Sequence, residues 1–174
     1  SATWKHLRKH LGNEGYSTGY IGKWHLDGDG RPQWAPKDKF GWQDNRYMFN
    51  RGHWKKLEKT VDAPGGAVSP KGIPSYEVDG ADEKSFTTDF LCDRAIEFMQ
   101  ANKERPFCCM VSIPDPHGPN TVRKPYDTMY QHLNFKEPYT YNERGDHGQN
   151  GWEKTEGSFN SRQMQLYFGM VKCI

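Results

Sequence analysis

The run FCCMVSI, Phe107 to Ile113, is the feature that most restricts how this chain can fold. It is apolar on both faces of a strand, a pattern typical of a buried central strand in a parallel sheet. The preceding stretch predicts a helix from Thr87 to Asn102, and Pro106 closes it. One face of that helix carries Leu91, Ala95, Phe98 and Met99. A helix that leads directly into a buried strand predicts an α/β fold.

A second helix-then-strand unit opens the chain. TWKHLRKHLG predicts a helix with Trp4, Leu7 and Leu11 on one face, ended by glycines, and YSTGYIGK predicts a short strand after it. In open α/β sheets the ligand lies beyond the carboxyl ends of the strands. The loops that follow the two predicted strands are therefore expected to face one site.

The C-terminal stretch NSRQMQLYFGMVKCI predicts a further helix, capped by Asn160 or Ser161. Its apolar stripe is expected to comprise Met164, Tyr167, Val171 and Ile174.

The segment from Asp27 to Glu83 is mostly Gly, Pro, charged and aromatic residues and is predicted as one long irregular loop. Loops of that length inside a domain are usually functional. Its ring-bearing residues form either a wall on which a sugar or aromatic group stacks or the small local core of the loop, and the local core is favoured. They are Trp34, Trp42, Tyr47, His53 and Trp54.

Composition limits the class of protein. With 174 residues the chain has the size of one domain, but 34% hydrophobic residues and a mean hydropathy of −1.01 predict a thin core. This combination indicates long surface loops or a segment of a larger domain.

The 24 Lys and Arg against 22 Asp and Glu are scattered, which gives nucleic-acid binding no support. No apolar run approaches the roughly 20 residues of a membrane span, and no leader is visible.

The cysteines show neither a zinc spacing nor a disulfide framework and are interpreted as small buried hydrophobes. Neighbours on a strand point to opposite faces, so Cys108 and Cys109 are poorly placed to bridge each other.

Two acidic Gly-rich stretches suggest metal loops, but DGDG at Asp27–Gly30 lacks the other calcium ligands and is interpreted as a tight turn. GDHGQNG at Gly145–Gly151 follows no apolar strand and is interpreted as a loop.

The first predicted strand ends in GKWHL, which alternates like a strand and so places Lys23 and His25 on one side and Trp24 on the other. An ammonium group beside an imidazole suits an anionic oxygen. A solvated lysine and a packed histidine at a strand end fit the spacing equally well.

In IPDPHGP, three prolines fix the backbone around His117, which favours a pre-positioned proton donor over a rigid turn.

These residues resemble a known family. GYSTGYIGKWHL closely resembles the second signature of the type I sulfatases, PFCCMVSIPDPHGP resembles their later strand ending in Pro-His-x-Pro, and LYFGMVKCI resembles the helix that follows. The resemblance implies an α/β fragment of an alkaline-phosphatase-like sheet sandwiched by helices, with long irregular loops. It also implies hydrolysis of sulfate esters by a hydrated formylglycine, with a divalent cation, usually calcium, screening the sulfate oxygens.

Carried over residue by residue, Lys23 would hold a sulfate oxygen and His25 would hydrogen-bond the nucleophile or sulfate. His117 would contact sulfate and protonate the leaving alcohol. His53 and Trp54, in the aromatic loop, are further substrate-binding candidates, and a sulfated carbohydrate is the expected substrate.

The family's formylglycine motif and metal ligands have no match here. Residues 1–174 are therefore expected to be an internal part of a sulfatase catalytic domain, inactive by itself and prone to self-association through exposed sheet edges. Periplasmic or secreted localisation is a family expectation. Two alternatives stay open: a phosphodiesterase or phosphonate hydrolase of the same superfamily, and a non-catalytic carbohydrate-binding module.

Overall fold

Three parallel strands form the sheet that carries the predicted site residues. The computed structural model describes residues 10–26, 40–59, 68–69, 76–78, 80–137 and 159–174. The strands are β1 (Ser17–Lys23), β2 (Asp44–Phe49), β3 (Glu58–Lys59), β4 (Val68–Ser69) and β5 (Phe107–Ser112), and the helices are α1 (Thr87–Asn102) and α2 (Ser161–Cys173). The sheet has the order β2-β1-β5, while β3 and β4 form a separate two-stranded antiparallel ladder.

The register of the parallel strands brings their carboxyl ends to one edge. Lys23 of β1 pairs with Phe49 of β2, and Gly22 pairs with Ser112 of β5. The chain segments that leave the three strands therefore start side by side. The predicted α/β class is confirmed, and the loops after β1 and β5 emerge at the same edge, as expected.

Two glycines allow close packing around β1. A Cβ on Gly19 would lie 2.5 Å from the ring of Phe98, so this glycine lets α1 approach the sheet. Gly22 has φ +102°, and a Cβ there would lie 2.1 Å from the carbonyl oxygen of Ser112. Only glycine adopts this conformation easily and leaves room for β5.

Both faces of the sheet are covered by apolar side chains. On one face α1 contributes Phe90, Leu91, Ala95 and Phe98 to a core that includes Ile21. On the other face an aromatic cluster comprises Tyr20, Phe40, Trp42 and Met48, with Trp24 packed against it. Cys109 packs against the first core and Cys108 against the second, so the two neighbouring thiols do lie on opposite faces. All four cysteines are free.

The bounds predicted for α1 are confirmed, but four other details are wrong. The segment 27–83 is not one irregular loop, because it contains β2 and the β3–β4 ladder. Strand β2 begins with the polar residues Asp44, Asn45 and Arg46, so its pattern lacks the alternation that marks a strand. Hydrogen bonding to β1 stabilises the strand conformation of β2, which its residue pattern alone does not predict.

Strand β5 is not central in the described sheet, because β1 holds that place. Met110 and Val111 of β5 are 42% and 38% exposed. The prediction failed because an apolar run indicates that a strand is buried but does not identify the element that covers it. On α1, Met99 is exposed rather than packed. Self-association through such surfaces stays a prediction.

The packed face of α2 differs from the predicted stripe. Asn160 caps the helix by accepting hydrogen bonds from the backbone N–H groups of Arg162 and Gln163, as predicted. Val171 and Ile174, however, are exposed, and the buried residues are Gly169 and Met170. A Cβ on Gly169 would lie 2.5 Å from the carbonyl oxygen of Tyr126. Gly169 therefore determines which face of α2 packs against the segment around Tyr126, and the large apolar side chains of the predicted stripe do not.

Several predicted features lie outside the described residues. They are most of the N-terminal helix, of which residues 10–13 are helical, and Trp34, Asp27–Gly30 and Gly145–Gly151. Of the helices that the structure describes, none is long and apolar enough to cross a lipid bilayer.

Candidate active site

The loops at the carboxyl edge of the sheet bring a lysine and two histidines into direct contact. Lys23 is the last residue of β1, and its Nζ lies 2.5 Å from Nε2 of His53, which follows β2. The ring of His53 stacks on that of His117, which follows β5, with centroids 3.7 Å apart and planes inclined by 12°. The three loops therefore build one continuous row of basic groups.

His117 is exposed, and its ring has a defined orientation. Its Nδ1 lies 3.0 Å from the carbonyl oxygen of Gly118, to which it can only donate. Nε2 is then the ring atom able to give or take a proton from a ligand. The backbone N–H of His117 donates to the carbonyl oxygen of Pro114 at 3.1 Å, so the proline-rich turn holds the residue as predicted.

His25 joins this group in a way that strand alternation did not predict. It lies two residues beyond the end of β1 with φ 53°, in the left-handed region. Its N–H donates to the carbonyl oxygen of Asn50 at 2.9 Å, and the N–H of Trp24 donates to that of Phe49 at 2.7 Å. The two hydrogen bonds continue the pairing with the β2 side past the strand end. His25 thereby stays near Lys23, while Trp24 packs on the aromatic face.

Arg51 is a site residue that the sequence reasoning missed. It follows β2 directly. After burial, its positive charge is the second cause of the lowered pKa of Lys23, and it adds to the effects of Lys23 and burial on the pKa of His25. Its Nε is buried and has no hydrogen-bond partner in the part of the chain that the structure describes. Arg51 opens the stretch RGHW just after β2, and a predicted strand there would have indicated it as a site residue. The sequence analysis did not recognise β2, so this indication was missed.

The electrostatics of the cluster favour a bound anion. Burial and then the charge of Arg51 lower the pKa of Lys23. Burial, followed by Lys23 and His117, lowers the pKa of His53 from 6.5 to about 4, so this imidazole is neutral near pH 7 and accepts from the Lys23 ammonium. The charge of Lys23 is the largest cause of the lowered pKa of His25. Burial and the positive charges of neighbouring groups thus act together on these pKa values, and a bound anion would offset the positive charge.

Trp54 is placed differently from the other predicted substrate-binding residues. It is only 7% exposed, belongs to the core beneath the sheet edge and stacks on Tyr76 with centroids 5.1 Å apart. Trp42 is also buried, at 5% exposure. For these two residues the structure agrees with the local-core interpretation, and contact of Trp54 with a substrate stays a prediction.

The described residues do not fit a divalent cation. No group of three His, Cys, Asp or Glu side chains that could hold a metal occurs among them. The side chains that meet at the sheet edge are bases and cations, whereas calcium and magnesium require oxygen ligands.

The parallel sheet carries Lys23, Arg51 and three histidines at its carboxyl edge, and this arrangement defines an α/β protein with a cluster of basic side chains there. The sulfatase family profile matches residues 6–174. The ulvan-active sulfatase of Formosa agariphila is 32% identical over 123 residues, 67% of this chain and 21% of the relative. The uncharacterized sulfatase YidJ of Escherichia coli is 28% identical over 131 residues, 71% of this chain and 25% of the relative. The chain belongs to the sulfatase family.

A solved structure agrees with the fold. The Bacteroides fragilis protein yidJ, a sulfatase candidate, superposes with a TM-score of 0.58 at 21% identity, over 94% of this chain and 36% of the solved one. The chain thus spans about a fifth to a quarter of the curated relatives that it matches.

Proposed function

We propose that the full-length protein hydrolyses sulfate esters and that this chain supplies part of its sulfate-binding and catalytic site. The observation that carries the proposal is the row formed by Lys23, His53 and His117 at the sheet edge. Family membership supports the same reaction.

Each basic group has a distinct proposed role. The Lys23 ammonium binds a sulfate oxygen, and His53, neutral near pH 7, orients that ammonium by accepting one of its protons. His25 donates a hydrogen bond to the sulfate or the nucleophile. His117 donates a proton from Nε2 to the alcohol oxygen as the S–O bond breaks, which prevents an alkoxide from leaving. Arg51 adds a second fixed positive charge for the sulfate oxygens.

The remaining parts of the reaction are proposals for residues outside those described. A formylglycine nucleophile and a calcium ion follow from the family resemblance alone. Inactivity of the isolated 174-residue chain likewise stays a prediction.

We further propose a sulfated carbohydrate as the substrate class, acted on in the periplasm or outside the cell. The relative in Formosa agariphila is described as ulvan-active, and ulvan is a substrate for testing this proposal. The position of His53 and Tyr76, with ring centroids 6.2 Å apart, provides ring surface next to the anion site.

The proposal is tested by assaying the purified full-length protein on ulvan oligosaccharides, on an aryl sulfate and on an aryl phosphodiester, with inorganic sulfate release as the readout for the first two. Turnover of the sulfate esters that is lost on Lys23→Met supports it. A preference for the phosphodiester would overturn it, as would full activity of Lys23→Met. Arg46→Met is the matched control, since Arg46 is exposed and paired with Asp44.

A further inference from the structure

A buried ion pair lies directly behind the histidines of the site. Nζ of Lys55 lies 2.5 Å from Oδ1 of Asp115, and the two side chains are 0% and 4% exposed. The hydroxyl of Thr88, on α1, donates to the second carboxylate oxygen at 3.5 Å. The sulfur of Met170, on α2, lies 3.3 Å from the ammonium. The pair is thus enclosed by both helices.

The positions of the two charges in the chain connect them to the site. Lys55 lies two residues after His53, and Asp115 lies two residues before His117. The ion pair joins residues 60 positions apart and so fastens the loop after β2 to the loop after β5. The stacked imidazoles, at 3.7 Å, are carried by the same two loops. A change in the distance between the loops is therefore expected to change the stacking of the rings.

Other hydrogen bonds hold the Lys55 side of this junction. The hydroxyl of Thr87 donates to the carbonyl oxygen of Trp54 at 2.5 Å, and the N–H of Thr87 donates to that of Lys55 at 3.4 Å. The start of α1 therefore fixes the backbone next to His53. Burial is the largest cause of the lowered pKa of His53, and the charge of Lys55 adds a smaller contribution.

A buried ion pair is a weak source of stability, because desolvation of both charges offsets their attraction. Replacing both partners by well-packed apolar groups is often neutral, whereas removing one leaves a buried charge without a partner. What such a pair does provide is a fixed distance and direction between two segments. Here those segments carry the groups that meet the anion.

We propose that Lys55 and Asp115 are positioning residues that hold His53 and His117 in their stacked arrangement at the sulfate site. The inference rests on the proposed function for its catalytic consequence, but the geometry of the two rings can be measured without turnover. Neither residue touches the substrate in this proposal.

The test compares three variants of the full-length protein. Asp115→Asn leaves the Lys55 ammonium buried without a counter-charge, so it is expected to lose stability as well as activity. The double variant Lys55→Met/Asp115→Asn removes both charges and keeps the shapes close to the originals. Arg46→Met/Asp44→Asn removes an exposed pair on β2 and serves as the control.

Two readouts separate positioning from stability. The first is kcat and KM on a sulfate ester, where a shift of the rings by about 1 Å is expected to lower kcat of the double variant about 100-fold. The second is the proton NMR shift of the imidazole C–H groups of His53 and His117, which ring stacking displaces. We expect the double variant to melt near the original temperature, yet to lose both the displaced shifts and the activity.

The outcomes are distinct. A folded double variant with unchanged kcat and unchanged imidazole shifts overturns the positioning role. If the unsubstituted protein hydrolyses no sulfate ester but the shifts still collapse in the double variant, the positioning role stands and the proposed function fails.

A milder variant covers the case in which the double variant does not fold. Thr88→Val removes only the 3.5 Å hydrogen bond to Asp115. A smaller displacement of the same imidazole shifts supports the inference, and unchanged shifts overturn it.

Discussion

Nζ of Lys23 lies 2.5 Å from Nε2 of His53, although the two residues are 30 positions apart and belong to different strand ends. A lysine ammonium has only donors, so the histidine nitrogen must be unprotonated to accept. With Lys23 as an ammonium group, the contact requires an unprotonated Nε2 on His53. A neutral His53 near pH 7 agrees with its pKa, which burial and then the charge of Lys23 lower to about 4.

The first prediction concerns the titration of His53. Its imidazole is expected to titrate near pH 4 instead of 6.5, because burial and then the charge of Lys23 oppose protonation. Lys23→Met should raise this pKa only partly, since burial is the larger cause. NMR titration of the imidazole signals, assigned with His53→Gln, measures it. A pKa of 6.5 in the folded protein would contradict the expected effect of burial and of the Lys23 charge.

The same shift makes the stability of the protein depend on pH. Between pH 6.5 and about 4 the unfolded chain binds a proton at His53 that the folded chain does not. The free energy of unfolding should therefore fall as the pH drops through that window, and His53→Gln should show a shallower decline. Thermal unfolding at a series of pH values checks this. His132→Gln, at an exposed position, is the control.

Arg51→Met is expected to weaken inhibition by inorganic sulfate about tenfold, because it removes a charge-assisted hydrogen bond to the anion. Arg51→Lys should restore only part of the affinity, since it keeps the charge and loses the planar fork. The inhibition constant measures both, and Arg46→Met should leave it unchanged. Equal inhibition of Arg51→Met and the unsubstituted protein would remove Arg51 from the site.

His117→Asn tests the proposed proton donor. Loss of a general acid is expected to slow hydrolysis of a sugar sulfate by about 10²- to 10⁴-fold, because its alcohol leaves poorly without a proton. A nitrophenyl sulfate needs little protonation of its leaving group and should lose much less. The measurement is kcat on both substrates. Equal losses would show that His117 serves another role.

Gly22→Ala is expected to disrupt the contact between β1 and β5. Gly22 has φ +102°, and a Cβ would meet the Ser112 carbonyl oxygen at 2.1 Å. Gly15→Ala is a matched control, because its φ of +84° is also unfavourable but, apart from its chain neighbours, no atom of the described residues lies within 4 Å of the added Cβ. The control should cost about 1 to 2 kcal/mol of unfolding free energy, and Gly22→Ala should cost clearly more. Similar melting temperatures for the two variants would contradict the steric argument.

Local sequence patterns predicted much of the scaffold. The bounds of α1 agree with the periodicity of TTDFLCDRAIEFMQAN, and Asn160 caps α2 as its side-chain chemistry predicts. The positions of Lys23 and His117 at strand ends followed from the apolar runs before them. These features depend on residues close together in the chain, which is why a sequence contains enough information to place them.

The sequence did not reveal β2, and Arg51 was missed with it. DNRYMF has no alternating pattern, so its strand conformation depends on pairing with β1 and on burial beneath α1. The packed face of α2 was mispredicted because the close approach at Gly169 depends on the backbone at Tyr126. In both cases the deciding neighbour is distant in the chain.

The sequence by itself placed three of the candidate groups at strand ends: a lysine and a histidine after one strand, and a proline-locked histidine after another. Only the tertiary structure decided that His53 accepts from Lys23, that its ring stacks on His117 and that Lys55 and Asp115 join the two loops. Periodicity and turn chemistry act over a few residues, whereas these contacts join residues 30 to 64 positions apart. They form because parallel strands in register end at one edge of the sheet.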